Sequence, residues 1–163
     1  MTGVQTCALP ISDAQGCALG VQSTGQLAVA GDAEVLRSAF ENVIRNAVRY
    51  SPAGAEVAIG AAPAVGAEGE RQIEVAVRDH GPGVPEKDLR LIFEPFYRVD
   101  AAREHRSAGG EGLGLAIAAR AIALHGGTIR ATNAVGGGLA VRISLPADVR
   151  GRTVPSRSAA AAA

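Results

Sequence analysis

The sequence predicts an α+β fold with a largely antiparallel sheet, and three observations carry that expectation. Strand-like segments come in pairs, each pair is followed by a helical segment, and a hairpin closes the chain. Residues 32–50 and 113–124 repeat apolar side chains at helical spacing. Glycine, 21 of 163 residues against a usual ~7%, gathers in the loops between these segments, where backbone must turn tightly or come close to a ligand.

Residues 1–12, MTGVQTCALPIS, show neither period and differ in composition from the chain after Asp13, so a disordered or foreign segment is expected there. They carry neither the basic start nor the apolar stretch of a signal peptide. Residues 17–21 and 26–30 read as two strands around the turn Ser23-Thr24-Gly25. Asp32 suits the N-cap of a helix reaching Tyr50, and Ser51-Pro52 ends it. Val35, Leu36, Ala39, Phe40, Val43, Ile44, Ala47 and Val48 form one wide apolar stripe on that helix. Residues 56–60 and 72–78 read as a strand pair joined by a hairpin loop, the second alternating Ile73, Val75 and Val77. A Gly/Pro loop at 79–85, a short helix at 86–93 and a long irregular stretch at 94–112 come next. The helix 113–124 is rich in Ala, Leu and Ile, and strands 128–133 and 139–145 close the fold around Gly136-Gly137-Gly138. Residues 150–163 end in five alanines and read as a disordered tail, which leaves 13–149 as the domain.

Composition excludes several functions. The length suits one domain. Sixteen basic against sixteen acidic residues argue against a nucleic-acid binder that works by general basicity. No run of about 18 apolar residues spans a membrane, and Cys7 and Cys17 make neither a disulfide framework nor a metal cluster. With 3% aromatics and no Trp, the core must be built from Ala, Val, Leu and Ile.

Three segments carry chemistry. Asn42 and Asn46 stand one turn apart at the edge of the apolar stripe, where their amide oxygens suit Mg²⁺, although two surface amides would look the same. Asp79-His80-Gly81-Pro82-Gly83 follows a strand directly. Its carboxylate can hold a ligand amino group while glycine backbone leaves room for a planar base; an ordinary strand-to-helix turn has similar composition. Gly109-Gly110-Glu111-Gly112-Leu113-Gly114-Leu115 leads into a helix, so its N–H groups can meet phosphate oxygens, and its position favours this over a flexible hinge with a capped helix. It is neither a Walker A loop nor a dinucleotide fingerprint.

Taken in order, these segments resemble the catalytic domain of sensor histidine kinases. Glu41-Asn42-Val43-Ile44-Arg45-Asn46-Ala47-Val48-Arg49-Tyr50-Ser51-Pro52 is similar to the family's N box, and Asp79-His80-Gly81-Pro82-Gly83 to its G1 box. Ile92-Phe93-Glu94-Pro95-Phe96-Tyr97-Arg98 is similar to the F box, and Gly110-Glu111-Gly112-Leu113-Gly114-Leu115-Ala116-Ile117 to the G2 box. The wording of the boxes is similar to that of proteobacterial kinases of the envelope-stress type. The resemblance covers about residues 17–146. It implies the Bergerat ATP-binding fold shared with type II topoisomerase and Hsp90 ATPase domains: a two-layer sandwich with three helices on one face of a mixed, mostly antiparallel sheet. ATP would lie between the helices beneath a lid at 94–112, a length of irregular chain that usually serves a function.

The resemblance also implies roles. Asp79 would accept from the adenine amino group, with Gly81 and Gly83 beside it. Asn46 would bind Mg²⁺, with Asn42 next to it, and Arg49 and Tyr50 would touch phosphate or close the pocket. Arg98 would stabilise the transferring phosphoryl group, Gly110, Gly112, Leu113 and Gly114 would wrap the phosphates, and Phe93 and Phe96 would anchor the lid by burial. ATP-hydrolysing relatives carry a water-activating Glu where this chain has Asn42, which favours transfer to a protein residue over hydrolysis. Glu41 is the adjacent carboxylate and the only base suggested, although it points to another side of the helix. The phosphorylated His of the family sits on a helical dimerisation domain, which the residues before Cys17 do not supply; His80, His105 and His125 are better explained locally, His125 as a cation at a helix C-terminus.

The expected function is thus transfer of the ATP γ-phosphate to a His on that dimerisation domain, with a response regulator as indirect partner. The fragment is expected to be a cytoplasmic monomer without nucleic-acid or membrane contact, its parent anchored in the inner membrane. A stand-alone serine kinase of the anti-sigma-factor type and a non-catalytic nucleotide-binding module are the alternatives.

Overall fold

The computed structural model describes residues 3–6, 16–25, 27–99 and 111–148. Asp32 opens helix α1 (Ala33–Tyr50), its carboxylate accepting from the N–H groups of Glu34 at 3.0 Å and Val35 at 3.1 Å. Leu36, Ala39, Val43, Ala47 and Val48 form the buried face of α1, and Ser51 ends it in extended backbone before Pro52. Helix α2 (Gly114–Leu124) buries Leu115, Ala118, Ala121 and Ile122 and packs beside α1.

The strands are β1 (Gly3–Thr6), β2 (Ala18–Ser23), β3 (Glu56–Val65), β4 (Arg71–Arg78), β5 (Thr128–Asn133) and β6 (Leu139–Pro146). They form one sheet in the order β1-β2-β3-β4-β6-β5. Among these pairings only β2–β3 is parallel, and α1 makes the crossover between them. The sheet is therefore mixed and mostly antiparallel, as expected. Register carries the apolar residues to one face: Leu19 lies opposite Val57, Val77 between Ile59 and Val141, and Val75 between Ala61 and Ile143. Leu19, Val57, Val77, Val141 and Ile143 join the buried faces of α1 and α2 in one core.

Four local expectations change. Residues 27–30 form no strand beside β2, because β1 and β3 already occupy both edges of β2. That segment instead makes a single bridge, Val29 with Ala147, and Asp148 N–H donates to Ala28 O at 2.7 Å. Residues 3–6, expected to be irregular, pair antiparallel with β2; backbone bonding to a sheet edge needs no apolar alternation for a period search to find. The helix at 86–93 is two 3₁₀ turns, Glu86–Asp88 and Leu91–Phe93, neither with a side-chain cap, since eight residues hardly repay helix nucleation. β3 runs on to Val65, so the hairpin loop is shorter, closed by Gly66 N–H donating to Glu70 O at 2.9 Å. The expected tail at 150–163 and most of residues 1–12 lie outside the described residues.

Ile122 has no exposed surface and sits between α2 and the sheet, whereas Val135 is 96% exposed. Ile122→Ala should cost about 2–5 kcal/mol in urea unfolding, and Val135→Ala less than about 0.5 kcal/mol.

Candidate functional site

The site begins where β4 ends. The ladder continues one residue beyond Arg78, with Asp79 N–H donating to Leu139 O at 3.0 Å. Asp79 is 3% exposed, and a buried carboxylate must be bonded. Its Oδ1 accepts from Leu139 N–H and from Gly81 N–H, both at 2.9 Å. Both of these protein bonds fall on Oδ1, which leaves Oδ2 to accept from a ligand. Gly138, at φ +91°, faces the Asp79 carbonyl so closely that a side chain there would overlap it.

The loop after Asp79 is held on two sides. A methyl group on Gly81 would stand 2.6 Å from the Tyr50 carbonyl, so the loop rests on the C-terminal end of α1. On the other side Asn133, at the end of β5, accepts from Val84 N–H at 2.9 Å and donates to Val84 O at 2.7 Å, with Gly83 in contact beside it. Sequence reasoning does not single out Asn133. Its only local signal is an Asn at a strand end, which usually marks a turn.

α1 supplies the facing wall. Asn42, Asn46 and Arg49 share one flank by helical spacing, and all three are half-buried. Asn42 Oδ1 stands 3.4 Å from where a Cβ on Gly114 would lie, so the start of α2 abuts the N-terminal part of this flank. Asn46 lies between that contact and the Tyr50–Gly81 contact, which are separated by roughly 12 Å of helix rise. Arg49 stacks its guanidinium 5.7 Å from the centre of the partly exposed Tyr50 ring. Glu41 does not join this wall: it is exposed, about 100° round the helix from Asn42.

The stretch from 94 onward is described at its two ends. Phe96 N–H donates to Gly112 O at 3.0 Å, which brings Tyr97 and half-buried Arg98 beside Gly112, Leu113 and the helix start at Gly114. Gly110 and most of the expected lid lie outside the described residues. Phe93 packs against the core, but Phe96 is 71% exposed, so a backbone bond and not ring burial holds this turn.

The histidines have other places. His80 is exposed, and His105 lies outside the described residues. His125 Nε2 accepts from Asp32 N–H at 3.1 Å, while Nδ1 lies 2.7 Å from Ala121 O. This pairing uses the neutral Nδ1–H ring to tie the start of α1 to the end of α2, rather than a cation capping a helix end.

The donor set fits a divalent ion carried by phosphates. Among the described residues no three His, Cys, Asp or Glu side chains cluster to form a protein cage. Asn42 and Asn46 are half-buried and carry neutral amide oxygens, a donor type that suits Mg²⁺, and Asn42 lies against Gly114 at the start of α2. Beside the turn lies an apolar groove of about 340 Å³ lined by Val35, Pro95, Leu113, Ile117, Arg120 and Leu124, among others. No described helix is long and apolar enough to cross a membrane.

Comparison with known proteins gives a consistent result. Residues 31–149 match the family described as histidine kinase-, DNA gyrase B-, and HSP90-like ATPases. The chain is 47% identical over 116 residues to the sensor histidine kinase CpxA of Escherichia coli K12, a match covering 71% of this chain and 24% of that one. The mycobacterial sensor histidine kinase MprB superposes with a TM-score of 0.68 at 31% identity, covering 84% of this chain and 87% of the solved one. The ATP-binding domain of PrrB from Mycobacterium tuberculosis superposes with a TM-score of 0.56 at 30% identity, covering 78% and 79%.

The close contact of Gly138 with the Asp79 carbonyl makes it sensitive to a single added carbon. Gly138→Ala should lose more than about 1 kcal/mol in urea unfolding, and amide exchange should show faster opening at Leu139.

Proposed function

The chain belongs to the histidine kinase-, DNA gyrase B-, and HSP90-like ATPase family, as a catalytic domain of the sensor histidine kinase type. On that premise we propose that it binds ATP with Mg²⁺ and transfers the γ-phosphate to a histidine on a separate dimerisation domain. The chain spans about a quarter of the length of the curated relative it matches, and in this reading the acceptor lies outside the matched part. In this reading the domain works in the cytoplasm and passes its signal to a response regulator through that acceptor.

One observation carries the reading. Asp79 is buried at a strand end, with both of its protein hydrogen bonds on Oδ1, in a loop seated against the asparagine-bearing helix. Its second oxygen selects a ligand with an amino group at the adenine position, whereas guanine presents a carbonyl there. Asn46, with Asn42 beside it, would hold Mg²⁺, which supplies neutralisation of charge on the phosphate oxygens. Arg49 lines the same wall, and Tyr50 closes the adenine end. Gly112, Leu113 and Gly114, and by resemblance Gly110, would offer backbone N–H groups to the β- and γ-phosphates. Arg98 stabilises the charge that spreads over the transferring group. An imidazole nitrogen of the acceptor attacks the γ-phosphorus, the bond to the bridging oxygen of ADP breaks, and the imidazole N–H proton leaves to solvent. Asn42 cannot activate water, which disfavours hydrolysis at this wall. The relatives named as sensor kinases favour this reading over a serine kinase or a non-catalytic module.

The acceptor must approach the phosphate end of the site, and the apolar groove lies beside it. Ile117 and Leu124, 49% and 67% exposed, supply apolar surface for an acceptor helix.

Asp79→Asn keeps an oxygen for Leu139 and Gly81 but replaces the Oδ2 acceptor by a donor. Calorimetry should show ATP affinity falling about tenfold to a hundredfold with the fold intact; unchanged affinity removes Asp79 from the adenine site. Given a dimerisation domain and Mg-ATP, the chain should label it with acid-labile phosphate, and acid-stable label on serine would point to the other kinase class. Ile117→Asp with Leu124→Asp should lower that transfer about tenfold or more while ATP affinity holds within about threefold.

A further inference from the structure

Two charged side chains are buried among the described residues, Asp79 and Asp88. The proposed reaction uses the first and leaves the second without a role. Asp88 is 5% exposed, at the end of the first 3₁₀ turn. Its bond is to a phenol: Tyr97 Oη donates to Asp88 Oδ1 at 2.8 Å. A buried carboxylate is costly, so a bonded one that faces no ligand needs another explanation.

Tyr97 lies at a junction. Phe96, the residue before it, has φ +65°, the one non-glycine residue in the left-handed region among those described. Such a conformation persists only where the surroundings impose it. Here they do so twice: Phe96 N–H donates to Gly112 O at 3.0 Å, and the Tyr97 hydroxyl is held by Asp88. Gly112 itself has φ +73°, and a methyl there would stand 2.9 Å from the Tyr97 carbonyl. Residues 96–97 and 112 thus meet at the base of the 98–111 segment, and Arg98 follows Tyr97 directly.

We propose that the Asp88–Tyr97 hydrogen bond is a positioning latch. It ties the segment that follows Asp79 to the turn that carries Arg98, holds Phe96 in its left-handed turn, and sets Arg98 against the glycines that begin α2. Asp88 and Tyr97 touch no reacting atom; they act through Arg98, and in that respect the proposal rests on the phosphotransfer reading above.

The test compares the whole chain with Tyr97→Phe, Asp88→Asn and Asp88→Leu. Amide exchange at Phe96, whose N–H bonds Gly112, reads the latch without any catalysis. Exchange there should quicken by about tenfold or more in Tyr97→Phe and Asp88→Leu, while Asp88→Asn, which keeps an oxygen for the phenol, stays within about threefold of the parent. At saturating Mg-ATP, transfer to a supplied dimerisation domain should fall about tenfold in Tyr97→Phe with ATP affinity within about threefold, and Asp88→Asn should retain the rate that Asp88→Leu loses. Combining Tyr97→Phe with Asp88→Leu should do no more damage than either alone. Unchanged Phe96 protection in Tyr97→Phe overturns the latch. So does Asp88→Asn behaving like Asp88→Leu, or ATP affinity falling in step with the rate. Should Asp88→Leu not fold, Tyr97→Phe and Asp88→Asn decide the matter. A parent that transfers no phosphate while the exchange contrast persists refutes the kinase reading and leaves the latch standing. Arg98→Ala that leaves the rate unchanged refutes the role of Arg98 alone.

Discussion

Asp79 Oδ1 is the point on which the site depends. At this one oxygen the end of β4, the start of β6 and the glycine loop converge, through the N–H groups of Leu139 and Gly81. The carboxylate is almost wholly buried, so those bonds are what make its position tolerable. Keeping it there imposes several requirements. Gly138 must lack a side chain, the loop must fold back through Gly81 onto the carbonyl of Tyr50, and both bonds fall on one carboxylate oxygen. The same constraint explains why the loop carries so little bulk: carbonyls approach it from two directions, from β6 and from α1.

The parallel β2–β3 pair gives α1 its place. A crossover helix must lie on a sheet face, and α1 does so with Leu36, Ala39, Val43 and Ala47 packed inward. The flank turned partly away from the core carries Asn42, Asn46 and Arg49. One helix therefore serves as core and as a wall of the candidate site, and the two faces divide by angle around its axis. α2 repeats the arrangement in a smaller way, burying Ala118 and Ile122 while its glycine start faces Asn42. The bond from Asp32 N–H to His125 then ties the start of α1 to the end of α2.

Much of this is legible along the chain. The apolar stripes of α1 and α2, the strand alternation of β4 and the order of the four boxes all depend on residues close in sequence, and periodicity reports such relations directly. The asparagine pair falls on the predicted flank for the same reason. The features that escape a linear reading depend on distant pairing. Asn133 reaches Val84 only because β6 inserts between β4 and β5 in the sheet. Residues 27–30 lose their expected strand because β1 and β3 take both edges of β2. Phe96 looks like a core residue by type, yet its left-handed backbone and its bond to Gly112 turn the ring outward. His125 looks like a helix-end cation until the start of α1 is seen to donate to it.

By itself, then, the sequence determined which segments are helix and strand, which face of each is apolar, and which short stretches hold carboxamides, a carboxylate and glycines suited to a nucleotide. These are local matters, decided by side-chain spacing and backbone freedom. Only the tertiary structure decided which oxygen of Asp79 takes the bonds from Gly81 and Leu139, what pins the loop beside it, and that Tyr97 bonds Asp88 just before Arg98. Each of those is a contact between parts of the chain brought together by strand order and helix packing, and a linear pattern holds no record of that order.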